Sequence, residues 1–337
     1  MITVFDDAQR AHDPQFFLSS GARKPCPEQP ARVDALLGAV RRMGGAVVQA
    51  PDAGLGPILA VHPQRYVTFL SGIYERWTRI EGASAEVIPN VHPASRSDGY
   101  PLSAVGQAGF HMTDTSCPIS GETWGAAYAS AQTAIHAADL VLGGAVAAYA
   151  LCRPPGHHAF AELAGGFCYL NNSGIAAQRL TDAGRKVAIL DVDLHHGNGT
   201  QGMFYARGDV LTVSLHAHPE RFYPFFWGYA DEIGEGTGLG ANLNLPLPRG
   251  TGDAGFLAAL AEAIEKVQAW GADTLVLALG LDAFEGDPFA GLAVSTQGFA
   301  AIGRAVAAMR LPTVIVQEGG YLCPQLGDNL EAVLQAW

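Results

Sequence analysis

The stretch that decides the fold is VAILDVDLHHGNG, residues 187–199. It begins with a short apolar run and passes directly into two aspartates and two histidines, Asp191, Asp193, His195 and His196. An apolar run without alternation is typical of a strand buried on both faces of a parallel sheet. Carboxylates and imidazoles are costly to bury unless something neutralises or coordinates them. The stretch therefore predicts an α/β protein with reactive groups at the end of a strand.

The rest of the chain alternates short apolar runs with amphipathic segments. We predict strands at Ile2–Phe5, Ala46–Gln49, Ala147–Leu151, Val187–Val192, Val210–Leu215, Thr274–Leu281 and Pro312–Gln317. We predict helices at Ala31–Met43, Thr123–Leu142, Ser173–Ala183, Ala254–Trp270, Thr296–Met309 and Asp328–Gln335. Apolar strands separated by helices predict a parallel sheet that helices cover on both faces. We expect one domain over residues 1–337, with an inserted loop at about residues 80–120, a segment rich in Gly, Pro and Ser with little periodicity.

Composition and charge exclude several function classes. The chain has 337 residues, 49% of them apolar, and a net charge of −12, so it can bury a large core but would repel a nucleic-acid backbone. The N-terminus lacks the pattern of a signal peptide, and no apolar run approaches the ~20 residues that span a membrane. The five cysteines are widely spaced and form no C-x-x-C pair, which disfavours a disulfide framework. We therefore expect a cytoplasmic protein without a membrane partner.

Polar clusters follow four of the predicted strands, at the sheet edge where parallel α/β proteins bind ligands. These clusters are Arg153–His158, Asp191–His195, Asp282 and Glu318–Tyr321. Oxygen and nitrogen donors without thiolates suit Zn²⁺ in a catalytic site, or Mn²⁺, Fe²⁺ or Co²⁺. Because alternate residues of an extended segment point the same way, Asp193 and His195 are expected to supply two ligands. The best-placed third ligand is Asp282.

Two adjacent histidines, His157 and His158, follow the rigid turn Pro154–Gly156, which could direct both rings at one ligand. Each ring needs a partner on its second nitrogen to fix its tautomer. Asp191 could hold one ring and Asn198 the other. A carboxylate raises the pKa of an imidazole, whereas an amide leaves it closer to neutral, so an amide-bound ring could act as a general base.

Three further residues could complete a pocket. Tyr321 follows paired glycines and could donate a hydrogen bond to an oxyanion, although a tyrosine in this context is more often a packing residue. Phe167 could line an apolar channel or belong to the core. His216 ends a predicted strand, and we interpret it as a residue of the site rim rather than a metal ligand.

Several motifs together resemble the zinc-dependent histone deacetylase superfamily. They are RPPGHHA at 153–159, GFCYLNN at 166–172, DVDLHHGNGTQ at 191–201 and EGGY at 318–321. Within the superfamily the chain is most similar to bacterial acetylpolyamine amidohydrolases, through FDD at 5–7, Cys117-Pro118 followed by Thr123-Trp124, and DAFEGDP at 282–288. The resemblance extends over the whole chain. It implies the arginase–deacetylase fold, a three-layer αβα domain around a central parallel sheet of about eight strands.

The resemblance also implies roles for individual residues. One catalytic Zn²⁺ would bind Asp193, His195 and Asp282. A structural K⁺ would bind Asp191, Ser214 and Leu215, together with backbone oxygens of Asp193 and His195. His158 would be the general base, with His157 as its electrostatic partner held by Asp191, and with Asn198 beside His158. Tyr321 would polarise the scissile carbonyl. The substrate would lie in a narrow tunnel with walls at Phe167 and Tyr223, near Gly166 and His216.

The expected activity is hydrolysis of acetyl groups from primary amines, above all N-acetylated polyamines such as acetylputrescine and acetylcadaverine. The alternatives are deacylation of acetyl-lysine in peptides or proteins, or of another small N-acyl amine. A ureohydrolase with two Mn²⁺ ions would need further bridging carboxylates, yet residue 284 is Phe. A catalytically silent scaffold would not need His157, His158 and Tyr321 together.

The resemblance further implies a homodimer in which one subunit narrows the mouth of the other's site. The segments Phe17–Glu28 and Ile80–Ser120 are candidates for this contact. It also implies a carboxylate near the tunnel mouth that attracts the distant ammonium of a polyamine. The aligned positions hold Val105, Ser116 and Phe289 instead, so the carboxylate would have to come from Asp114, Glu162 or Glu285.

Overall fold

The structure, a computed structural model, describes residues 1–337. Its strands are β1 (Ile2–Val4), β2 (Phe16–Ser19), β3 (Ala22–Pro25), β4 (Ala46–Val48), β5 (Ala147–Ala150), β6 (Val187–Asp191), β7 (Val210–Ala217), β8 (Asn242–Leu247), β9 (Thr274–Leu279) and β10 (Thr313–Gln317). Its α-helices are α1 (Ala31–Arg42), α2 (Gly56–Leu59), α3 (Gln64–Trp77), α4 (Ala104–His111), α5 (Thr123–Leu142), α6 (Asn172–Asp182), α7 (Asn198–Phe204), α8 (Asp253–Trp270), α9 (Thr296–Ala307) and α10 (Leu326–Leu334).

Eight strands form one sheet in the order β4-β1-β5-β10-β9-β6-β7-β8, and every pairing in it is parallel. The central strands are buried along their whole length, because helices cover both faces. One face packs against α1, α8, α9 and α10, and the other against α5 and α6. The predicted three-layer αβα fold is confirmed. None of the helices combines the length and the apolar character that a membrane crossing requires.

All seven predicted strands and all six predicted helices are present, with ends that differ from the prediction by at most two residues. The edge strand β8 was missed, because its sequence alternates polar and apolar residues and contains Pro246, instead of forming an apolar run. Helix α3 was also missed. Its buried residues recur at helical spacing, so a readable signal was present in Tyr66, Val67, Leu70, Ile73 and Trp77.

The expectation that residues 80–120 lack regular structure is wrong in part. Helix α4 lies within this segment, and the hydroxyl of Ser103 accepts a hydrogen bond from the Gly106 N–H at its start. The glycines of α4 weaken its helix signal in the sequence. Position 109 must be glycine, since a Cβ there would lie 1.8 Å from the carbonyl oxygen of Val91. Tertiary packing therefore stabilises a helix that propensity alone disfavours.

The sheet order brings the polar clusters together. Strand β10 lies between β5 and β9, and β6 lies on the far side of β9. Because all four strands are parallel, their carboxyl ends meet at one edge of the sheet. The segments that follow these strands carry the residues described next.

Candidate active site

Asp193, His195 and Asp282 converge at the carboxyl ends of β6 and β9. One potential ligand atom of each residue lies within 4.8 Å of those of the other two, and all three side chains are buried. The His195 Nδ1 atom lies 3.0 Å from Asp282 Oδ2 and 3.3 Å from Asp193 Oδ1. Burial raises the pKa of Asp282, and the neighbouring Asp193 raises it further. A cation between the two carboxylates would remove this repulsion, and the donor set of two oxygens and one imidazole fits a catalytic zinc site.

The sequence suggested that an extended strand presents Asp193 and His195. In the structure a turn after β6 presents them instead. Strand β6 ends at Asp191, whose Oδ1 accepts a hydrogen bond of 3.0 Å from the Asp193 N–H. Asp193 Oδ1 in turn accepts a bond of 2.8 Å from the His195 N–H. Each aspartate thus fixes the backbone two residues further on, which is typical of Asx turns.

Two glycines make room for the carboxylates. A Cβ at Gly319 would lie 2.3 Å from Asp282 Oδ2, and one at Gly280 would lie 2.1 Å from Asp193 Oδ2. The Gly319 N–H also donates a hydrogen bond of 2.8 Å to Asp193 Oδ2. Gly280 was not singled out in the sequence, although a glycine at the end of an apolar strand is a recognisable sign of close approach.

The paired histidines make the two contacts that the sequence suggested. The Nδ1 atom of His157 lies 2.9 Å from Asp191 Oδ2, and the Nδ1 atom of His158 lies 2.7 Å from Asn198 Oδ1. Both rings are buried, with centroids 4.0 Å apart. With Nδ1 bound to the amide oxygen of Asn198, the Nε2 atom of His158 is left as an acceptor.

The environments of the two rings push their pKa values in opposite directions. Burial lowers the pKa of His158, and the neighbouring His157 and His195 lower it further. Burial also disfavours the charged form of His157, but the carboxylates of Asp193 and Asp191 outweigh burial and raise its pKa well above the usual value. One ring is therefore neutral and the other cationic at neutral pH.

Glu318 anchors the turn that carries the histidines. Its Oε2 atom accepts hydrogen bonds from the N–H groups of Gly156 at 2.7 Å and His157 at 3.0 Å. Its Oε1 atom accepts a bond of 2.7 Å from the Ser173 hydroxyl on α6. The sequence placed Glu318 in a motif but assigned it no contact, because these partners lie 145 to 162 residues away in the chain.

A cavity of about 400 Å³ leads from the surface to this cluster. His158, His195 and Tyr321 line its inner part, with Phe167, Tyr223 and Phe289 around them. Gly166 also lines the cavity, and a Cβ there would lie 2.4 Å from the His158 ring. The structure therefore places Tyr321, Phe167, Tyr223 and Gly166 around one tunnel, which is the arrangement that the family resemblance implied.

The interpretation of His216 as a rim residue is wrong. His216 is fully buried and does not line the cavity. Its Nδ1 atom lies 2.9 Å from the Ser214 hydroxyl, and its Nε2 atom lies 2.8 Å from the Gly228 carbonyl oxygen. Strand β7 extends to Ala217, two residues beyond its predicted end, so it carries His216 into the interior. In the same strand Ser214 pairs with Asp191 of β6, next to a small polar cavity that both residues line.

Two charged residues behind the tunnel wall were missed. Arg32 on α1 is buried, and it donates hydrogen bonds of 2.6 Å to the Gly320 carbonyl and 2.7 Å to the Glu318 carbonyl. Asp287 accepts bonds of 2.9 Å from the N–H groups of both Phe289 and Tyr321. Burial and the nearby Asp282 raise the pKa of Asp287 to about 7. Both residues fix the backbone that presents Tyr321. Asp287 lies within the quoted DAFEGDP motif but was assigned no role there, and Arg32 lies in no quoted motif.

Comparison with known proteins finds similarity to the histone deacetylase domain and to acetylpolyamine amidohydrolases. A family model described as the histone deacetylase domain matches residues 26–337. The acetylpolyamine amidohydrolase of Burkholderia pseudomallei is 46% identical to this chain, over 98% of the chain and 96% of its own length. Acetylpolyamine amidohydrolase 1 of Pseudomonas aeruginosa is 43% identical, over 100% of the chain and 99% of its own. A crystal structure of acetylpolyamine aminohydrolase from Burkholderia pseudomallei superposes with a TM-score of 0.96 at 44% identity, covering 100% of this chain and 98% of that one.

Proposed function

Since this chain belongs to the histone deacetylase family, and is therefore a deacetylase hydrolase, we propose that it removes acetyl groups from N-acetylated polyamines such as acetylputrescine and acetylcadaverine. Full-length relatives named acetylpolyamine amidohydrolases, at 41–46% identity, support this substrate class. The observation that carries the reaction is the position of the acidic and imidazole cluster at the inner end of a tunnel lined by aromatic residues. Such a tunnel admits a slender acyl-amine.

The family implies a metal cofactor, typically Zn²⁺, and Asp193, His195 and Asp282 would hold it. Fe²⁺, Co²⁺ or Mn²⁺ could take its place with the same donors. The bound ion supplies Lewis-acid chemistry, polarising the amide carbonyl and making water more acidic. We further propose that K⁺ binds near Asp191, Ser214 and Leu215, where the carboxyl end of β6 pairs with β7.

His158 acts as the general base. Its neutral ring takes the proton of the attacking water at Nε2, the nitrogen that Asn198 leaves free. The cationic His157 stabilises the negative charge that develops beside it, and Asp191 holds its ring in place. His158 then returns the proton to the leaving amine, so that the ring ends the cycle as it began.

Tyr321 stabilises the oxyanion of the tetrahedral intermediate. Burial raises the pKa of its phenol well above the ordinary value, so the hydroxyl keeps its proton and can donate it in a hydrogen bond. Phe167 and Phe289 pack against the ring at centroid distances of 6.0 Å and 4.8 Å. This packing restricts the ring to the tunnel wall, where the carbonyl oxygen of the substrate would lie.

A substrate panel tests the proposed function. The purified, zinc-loaded protein would be assayed on N-acetylputrescine, N-acetylcadaverine, N⁸-acetylspermidine, an acetyl-lysine peptide and an uncharged N-alkylacetamide. We expect the highest kcat/KM for an acetylated diamine or polyamine. A higher kcat/KM for the peptide would favour the alternative, a lysine deacylase, and equal values for an uncharged N-alkylacetamide would favour another small N-acyl amine.

We propose a homodimer in the reducing environment of the cytoplasm. All five cysteines are free, which is typical of proteins from reducing compartments. The segment 80–120 exposes Leu102 at 87% and Val91 at 51%, and apolar side chains this exposed favour an intermolecular contact. Light scattering of the wild type and of Leu102→Asp tests this point. We expect a dimeric mass for the wild type and a shift towards the monomer for the variant.

A further inference from the structure

Three fully buried charged side chains, Glu28, Arg32 and Arg153, form a cluster that does not line the tunnel. The Oε1 atom of Glu28 accepts a hydrogen bond of 2.7 Å from Arg32 Nη1 and one of 2.9 Å from Arg153 Nε. Burial disfavours the charged form of Glu28, but Arg153 and Arg32 outweigh burial and lower its pKa. One ionised carboxylate oxygen therefore joins two guanidinium groups.

The first of these guanidinium groups holds the tyrosine loop, residues 318–321. Arg32 Nε donates a hydrogen bond of 2.6 Å to the Gly320 carbonyl oxygen, which belongs to the peptide unit that joins Gly320 to Tyr321. The N–H of the same unit donates a bond of 2.9 Å to Asp287. Because a peptide unit is planar, fixing both its oxygen and its nitrogen fixes the direction in which the Tyr321 side chain leaves the backbone.

The second guanidinium group belongs to the first residue of the histidine turn, residues 153–158. Arg153 Nη1 donates a hydrogen bond of 2.7 Å to the Gln9 carbonyl oxygen, and the Arg153 N–H donates one of 2.6 Å to the Gln9 side-chain oxygen. Two prolines follow Arg153 and restrict the backbone that leads to the histidines. The position of Arg153 is therefore transmitted along the turn to His158.

Two carboxylates thus connect the tyrosine loop with the histidine turn. Glu318 connects them directly, since it lies on the loop and accepts hydrogen bonds of 2.7 and 3.0 Å from N–H groups of the turn. Glu28 connects them through the two arginines. The ring of His158 is also fixed by Asn198, at 2.7 Å. Loss of the connection through Glu28 should therefore displace Tyr321 more than His158.

We propose that Glu28 is a positioning residue for the hydrolysis. By holding two arginines on one oxygen, it sets the distance between the Tyr321 hydroxyl and the His158 ring. The inference rests on the proposed function, because it assumes that both groups act on one substrate amide. His158 must reach the attacking water while Tyr321 reaches the carbonyl oxygen, so an error in their separation weakens transition-state stabilisation more than substrate binding.

The test is a double-mutant cycle with N-acetylputrescine as the substrate. Glu28→Asp keeps the charge but shortens the side chain by one methylene group, so one oxygen no longer reaches both guanidinium groups. It should lower kcat about tenfold or more and change KM by less than about twofold. In the Tyr321→Phe background the same substitution should lower kcat by less than about threefold, since a missing hydroxyl cannot be misplaced. A merely structural role would lower kcat by the same factor in both backgrounds.

Glu331→Asp is the matched control, because it shortens a carboxylate on α10 that also binds an arginine, Arg42, and it should leave kcat unchanged. Arg153→Lys provides a second variant should Glu28→Asp not fold, since an ammonium cannot reproduce the bonds of the guanidinium group and the same connection is broken at its other end. A wild-type kcat in the folded Glu28→Asp or Arg153→Lys protein overturns the inference, and so do equal losses in the two backgrounds. Both results leave deacylation intact. A wild type that hydrolyses no N-acetyl amine overturns the proposed function instead.

Discussion

The guanidinium carbon of Arg32 lies 5.0 Å from the centroid of the Tyr321 ring, so a buried cation lies against the phenol of the candidate active site. Arg32 also bonds to the carbonyl oxygens of Glu318 and Gly320, and its charge is balanced by Glu28 at 2.7 Å. The arginine therefore holds the loop after β10 at its backbone while touching the aromatic ring that the loop presents. The geometry of Tyr321 depends on a residue that is almost 290 positions away in the chain.

Replacing Tyr321 tests its role as an oxyanion donor. Tyr321→Phe should lower kcat by roughly 10²–10³, the usual loss on removing one such donor. The metal content and the melting temperature should stay close to those of the wild type, because the ring and its packing are kept. Steady-state kinetics with metal analysis checks this, and near-normal turnover would exclude the role.

Replacing Arg32 tests how much its hydrogen bonds to the loop that carries Tyr321 contribute to stability. In Arg32→Lys a single ammonium cannot reach both carbonyl oxygens and Glu28, so buried polar groups lose partners. We expect the free energy of unfolding to fall by on the order of 3 kcal/mol. Denaturant unfolding measures this loss. Arg42→Lys is the matched control, because Arg42 makes exposed ion pairs with Asp328 and Glu331 and should change stability little. Equal losses in the two variants would contradict the prediction.

The amide of Asn198 should determine the pH range over which His158 is neutral and can act as the general base. In Asn198→Asp a carboxylate would replace the amide oxygen that lies 2.7 Å from His158 Nδ1. An adjacent negative charge raises the pKa of the ring by roughly 1–2 units, so more of His158 is protonated at a given pH and less is available as a base. The acidic limb of the kcat/KM profile should therefore move to higher pH. An unchanged limb would show that His158 is not the group that titrates there.

Removal of the metal should abolish activity, and reconstitution should show how many metal ions each chain binds. Dialysis against a chelator should eliminate hydrolysis, and added Zn²⁺ should restore it at one ion per chain. Asp282→Asn should weaken metal retention, because it removes one of the three donors. Elemental analysis of the reconstituted protein measures the count. Two ions per chain would support the ureohydrolase alternative, and activity that survives chelation would argue against a metal site altogether.

Acid should destabilise the fold through histidines that are buried in neutral form. Burial lowers the pKa of His62 from 6.5 to about 4, and its Nε2 atom accepts a hydrogen bond from the Asn171 N–H. A folded-state pKa below the unfolded value contributes stability above pH 6.5 that is lost progressively as the pH falls towards 4. The loss attributable to His62 is on the order of 3 kcal/mol. Denaturant unfolding at pH 7 and pH 4.5 should show a smaller decrease in His62→Gln than in the wild type. Parallel decreases in both proteins would refute the assignment.

The sequence by itself determined the αβα class, the central strands and the residues of the motifs. These features are local: an apolar run such as Val187–Leu190 reports burial on both faces, and Asp193 and His195 follow it directly. The carboxyl-end rule for parallel sheets then indicated that Asp282 and Tyr321 would lie at the same edge. Because each of these inferences uses neighbouring residues and one general rule, no knowledge of strand order was needed.

Only the tertiary structure decided which distant residues support that cluster. Strand order places β10 next to β5, and this brings Glu318 to His157, whereas Arg32 reaches Tyr321 from α1. Asp114 gained its place in the tunnel from a hydrogen bond to Tyr223, 109 residues away, while Glu162 was neutralised by Arg65. His216 moved from the expected rim into the interior because β7 continues past its apolar run. Contacts of this kind depend on how helices and strands pack in three dimensions. Local periodicity predicts the buried face of a segment but not the distant residues that pack against it.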